Sequence, residues 1–129
     1  MTRFLRNHKR LTATTLVLAI FLAWWPLASF RGILVAHIDL ALGHYEFLGY
    51  GLPPPWRFSE AQLLRERYGI EYRQVALCIV SPPLMQYADS YNSVSIPAIT
   101  RKFGRDVIKE TAEMEFVAWQ KAHPDRLKE

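Results

Sequence analysis

Residues 11–30, LTATTLVLAIFLAWWPLASF, carry no charged side chain. As a helix, about 20 residues extend about 30 Å, which matches the hydrocarbon core of a bilayer. No other feature of the chain constrains its fold as strongly. Such a run must be covered by protein or surrounded by lipid. Its position directly behind Arg3, Arg6, Lys9 and Arg10 favours a membrane helix, because basic residues are retained on the cytoplasmic side. Trp24 and Trp25 suit the aromatic belt of a membrane interface. Pro26 predicts a kink near the far end.

Charge is distributed to the same effect. The chain holds 16 Lys and Arg against 12 Asp and Glu, a net charge of +4. The four N-terminal basic residues account for that whole excess, so the body is neutral. Nucleic-acid binding needs a basic face on the folded domain, and none is implied. The expectation is a single-pass signal-anchor in an inner membrane, N-terminus inside and a periplasmic domain outside. A cleaved signal peptide is the rival reading. Leu27 is a poor residue three positions before a cut after Ser29, and the apolar run exceeds the usual length of about 7–15 residues.

Beyond this run, Leu34, Ile38, Ala41, Tyr45, Leu48 and Leu52 recur at helical spacing. They predict an amphipathic stem helix over 31–52 that continues the membrane helix. The seam either covers the chain's own core or forms a short coiled coil. Asp39, Glu46, His37 and His44 argue against a second span. Residues 53–58 begin with three prolines and read as a rigid elbow.

The remaining head, 59–123, is expected to be α-rich α+β with one or two short strands, followed by a tail over 124–129. Ser59 and Gln62 form a capping pattern ahead of a helix that stops at Gly69. Val75, Leu77 and Ile79 alternate in a strand over 71–80. That strand must pair with the 49–52 region, the 56–58 region or another chain. Ser81 with Pro82 opens a helix that Asn92 can end. A short segment follows from Ile96 to Phe103, and a last helix runs from about Asp106 to Ala122. The fold class expected is therefore a mainly α, membrane-anchored protein.

Chemistry is sparsely signalled. His37 with Asp39, and His44 with Glu46, are two residues apart and point to different sides of a helix, so they read as solvated positions rather than metal ligands. Cys78 lies in VALCIV, an apolar setting that predicts a buried inert thiol. A lone cysteine excludes an internal disulfide. Arg101, Lys102 and Arg105 are balanced by Asp106 and Glu110 and read as surface. No catalytic residue, metal site, cofactor or small-molecule substrate is implied.

The basic start, single span and small head are similar in layout to accessory proteins of bacterial envelope machines. The functional expectation is a non-catalytic structural or interaction subunit, with a membrane-resident immunity or regulatory protein as the alternative. A thiol- or metal-dependent enzyme is the third. The partners expected are the lipid bilayer and a protein or second copy. Leu34, Ile38, Tyr45, Leu48, Tyr87 and Tyr91 are the candidate contacts. Arg3, Arg6, Lys9, Arg10, Trp24 and Trp25 are the candidate anchor.

Overall fold

The structure, a computed structural model, describes residues 2–24 and 26–127, with side chains over 12–24 and 26–125. Among them are five α-helices and two strands. These are α1 (Thr2–Trp24), α2 (Ala28–Ala41), β1 (Tyr45–Tyr50), α3 (Arg57–Tyr68), β2 (Ile70–Ala76), α4 (Pro82–Phe103) and α5 (Val107–Ala122). A 3-10 turn, Pro124–Leu127, follows.

The expected single span does not form; the kink expected at Pro26 is a full break. α1 ends at Trp24, and α2 restarts beyond Pro26 at an angle of 79° to the stretch Thr12–Trp24. Among the described residues no single helix is long and apolar enough to cross a membrane; only the bent pair passes by length and composition. Two causes are visible. Proline cannot donate the helical hydrogen bond at the break. α2 is also committed sideways, against α4. Ala28, Gly32 and Ala36 recur every four residues on its inner face and are all buried. A Cβ on Gly32 would stand 2.3 Å from the carbonyl oxygen of Tyr87, so only glycine lets the two backbones approach this closely.

The expected stem over 31–52 is likewise replaced by two elements. α2 stops at Ala41, and Gly43 turns the chain at φ 78°. Tyr45 to Tyr50 then form a strand rather than helix. β1 pairs in parallel with β2, Tyr45 opposite Ile70 and Phe47 opposite Tyr72, with α3 as the crossover. The fold class is thus a small, mostly helical domain with one parallel pair, not an anchor, stem and separate head.

Both faces of this pair are covered, as parallel sheets require. Phe47, Leu64, Ile70, Ile99 and Val107 form one core beneath α3, α4 and α5. Ala36, Leu48, Ala88 and Tyr91 form the other, between β1, α2 and α4. Alternation along β1 sends Tyr45 and Phe47 to the first and Leu48 and Tyr50 to the second. Trp56 extends the packing toward α5, with ring centroids 4.8 Å from Phe116 and 5.6 Å from Trp119.

Candidate functional site: an apolar arm beside a polar cleft

Two surfaces stand out, and α2 contributes to both. The first is the arm made by α1 and the outer face of α2. Leu16, Val17, Leu18, Ile20, Phe21, Leu22 and Trp24 are all exposed, Phe21 to 76%. The exposed apolar face continues over Leu27, Phe30, Ile33, Leu34 and Ile38. Contiguous exposed apolar area of this kind marks an interaction surface. The Arg31 guanidinium lies 3.8 Å from the centroid of the Trp24 ring and ties α1 to α2.

The second surface is a cleft of about 500 Å³ where α2 ends and the strands begin, lined by Asp39, His44, Glu46, Glu71 and Arg73 among others. Tyr91 donates a hydrogen bond of 2.8 Å to Asp39 Oδ2. Arg73 pairs with Glu46 at 2.6 Å. Burial raises the Glu46 carboxyl above its ordinary value; Arg73 opposes the shift and Asp39 adds to it. Burial and the bond to Asp39 push the Tyr91 hydroxyl far up, so it acts as a donor and not as a base. Asp39 and Glu46 are thus each engaged by a neighbouring group of the cleft.

Side chains of α4 also fasten β1. Leu48 N–H donates to Asn92 Oδ1 and Asn92 Nδ2 donates to Leu48 O, both at 2.8 Å. The Ser95 hydroxyl donates to the Glu46 carbonyl. One side chain thus mimics a neighbouring strand and closes an edge that would otherwise be open. A second polar pair lies within the first turn of α3. Glu60 is fully buried and accepts from Arg57 at 2.6 and 2.7 Å. Burial raises its carboxyl despite the pull of Arg57.

The candidate residues from sequence fall apart in space. Leu34 and Ile38 are exposed on the arm. Tyr45 and Tyr87 are partly buried against the two cores, while Leu48 and Tyr91 are buried within the second. Trp24 lies on the arm. The side chains of Arg3, Arg6, Lys9 and Arg10, and Trp25 as a whole, lie outside the described residues. Cys78 is exposed rather than buried, because β2 ends at Ala76 and VALCIV leaves the sheet. His37 and His44 are exposed, and no metal-holding group of His, Cys, Asp or Glu occurs among the described residues. Sequence reasoning missed the Ala28-Gly32-Ala36 stripe, whose four-residue spacing was the available signal. It also missed the clasp by Asn92, for which no local signal exists.

No protein family matches this sequence. The chain is similar to non-structural protein 2 of Rotavirus C, 30% identical over 95 residues, covering 70% of this chain. It spans 29% of that viral protein's length. No solved structure matches. With a viral non-structural protein as the similarity found, and no single spanning helix, the expectation of a single-pass inner-membrane protein with a periplasmic head is overturned.

Proposed function

We propose that this chain is a non-catalytic structural or interaction subunit that attaches through its N-terminal arm and presents the βαβ-containing body. The observation that carries the reading is the uncovered apolar arm, from Leu16 through Ile38. Leaving so many large apolar side chains in water costs about 1.5–3 kcal/mol for each one that could be buried, which favours a bound state. The cleft supports the same reading. Asp39 and Glu46 are engaged by Tyr91 and Arg73, whereas a catalytic acid or base needs to be free to exchange a proton with substrate.

The test is recovery of the full chain from its native source in mild detergent, followed by native mass measurement. The expected result is an assembly well above the 15.0 kDa of the chain. The variant Leu18→Glu/Phe21→Glu should lose whatever the arm binds, protein or lipid, while its circular dichroism is unchanged. A one-to-one complex with a single target would favour the regulatory alternative. A wild-type chain that remains free of any partner, protein or lipid, would overturn the proposal.

A further inference from the structure

We infer that the arm's partner is an anionic lipid surface, entered from one side without crossing it; this rests on the interaction reading above and names its occupant. The decisive feature is how the arm is apolar. Successive helical residues are turned by about 100°. Leu16, Val17 and Leu18 therefore face three directions, and Ile20, Phe21 and Leu22 fill the gaps between them. All six are exposed. A protein groove covers one side of a helix and leaves the other to water, so helices that dock in grooves are amphipathic. A helix apolar on every side fits an environment that surrounds it.

Length and charge fix the mode of entry. The stretch Thr12–Trp24 is about 20 Å long, short of the ~30 Å hydrocarbon core. One leaflet, about 15 Å deep, does accommodate a helix of about 10 Å diameter lying within it. Both ends of the stretch are marked as polar boundaries. Lys9 and Arg10 precede it. Arg31 stacks on Trp24 at its other end, an aromatic and a cation of the kind that sit at headgroup level. The sequence has no acidic residue before Asp39, and Arg3, Arg6, Lys9, Arg10 and Arg31 lie in that span. This one-signed segment complements anionic headgroups. The 79° turn then lays α2 against the body, with Phe30, Leu34 and Ile38 continuing the apolar surface. The N-terminus and the body consequently share one side of the bilayer.

The experiment is flotation of the purified full chain with phosphatidylcholine vesicles, with and without phosphatidylglycerol as a minority component. Binding is expected to be stronger with phosphatidylglycerol and to weaken as salt rises. Leu18→Glu/Phe21→Glu should lose at least about tenfold in partitioning. Ile79→Glu, at an apolar side chain 89% exposed on the body, should bind as wild type. An impermeant maleimide added outside should label both Cys78 and, in a Cys78→Ser chain, a cysteine introduced by Thr2→Cys. Protection of that N-terminal cysteine on intact vesicles overturns the one-sided insertion. A mature chain whose intact mass lacks the arm also overturns it. Failure to float, with arm-dependent loss of a stoichiometric protein partner, overturns the lipid assignment and leaves the interaction reading standing. Failure of both assays overturns both.

Discussion

Gly32 and Glu60 show how much of this fold depends on single atoms. Any Cβ at Gly32 meets the Tyr87 carbonyl at 2.3 Å and the Tyr91 amide at 3.0 Å, both backbone groups that cannot swing aside. Gly32→Val is therefore expected to separate α2 from α4 and destabilise the domain by about 1–3 kcal/mol. Thermal unfolding followed by circular dichroism measures this; an unchanged midpoint would mean the helices are not in this contact. Glu60 makes a pH prediction. Its folded carboxyl is raised above the ordinary 4.5, first by burial, so the folded state holds its proton more tightly than the unfolded chain does. The associated stability is complete below 4.5 and is lost as pH rises through the higher folded value. Glu60→Gln removes this titration. Urea midpoints across that range should then fall less steeply with rising pH in the variant than in wild type.

At the scale of elements, the clasp of Asn92 on Leu48 is the connection most open to test. Asn92→Ala leaves a buried N–H and a buried C=O of β1 without partners, at about 1–3 kcal/mol for each group left unsatisfied. Hydrogen exchange should show faster exchange at Leu48 than at residues of α3. The same residue shows what was legible in the sequence. Asn92 reads locally as a helix terminator, yet α4 runs through it to Phe103, because its amide is worth more against β1 than as a cap. Pro97 is tolerated inside that helix, where it is exposed, as is Ser93, whose carbonyl its missing N–H would have served. Stops set by glycine were readable: Gly69 and Gly104 end α3 and α4 at φ 65° and 69°. Ser59 was not a cap, since α3 begins earlier, at Arg57, and its first turn is held by the Arg57–Glu60 pair. The spacing of Tyr45 and Leu48 imitates a helix, but those residues lie on opposite faces of a strand. No local pattern separates these alternatives; pairing with β2 and cover by α4 decide it. For the arm, the uncharged run and a break at Pro26 were legible in the sequence. The size of the bend, 79°, was not, because it also depends on α2 lying against α4.

Across the whole molecule the arm and the body carry different kinds of stability, and truncation separates them. α1 has no extensive contact with another described element, while α2 and α4 share the most extensive helix pairing among the described residues. A chain beginning at Leu27 keeps α2, both strands and both cores. It should unfold cooperatively at nearly the midpoint of the full chain, and it should no longer associate through α1. A chain beginning at Gly51 loses α2 and β1 together. Leu64, Ile70 and Ile99 then lose Phe47, and Ala88 and Tyr91 lose Ala36 and Leu48. β2 is left with no strand to pair with, and a single strand cannot satisfy its own backbone. That shorter chain is expected to aggregate, or to show helix by circular dichroism without a calorimetric transition. A monomeric, cooperatively melting chain from Gly51 would mean that α3, β2, α4 and α5 suffice. α2 would then belong with the arm, as part of the attachment device, and not with the core.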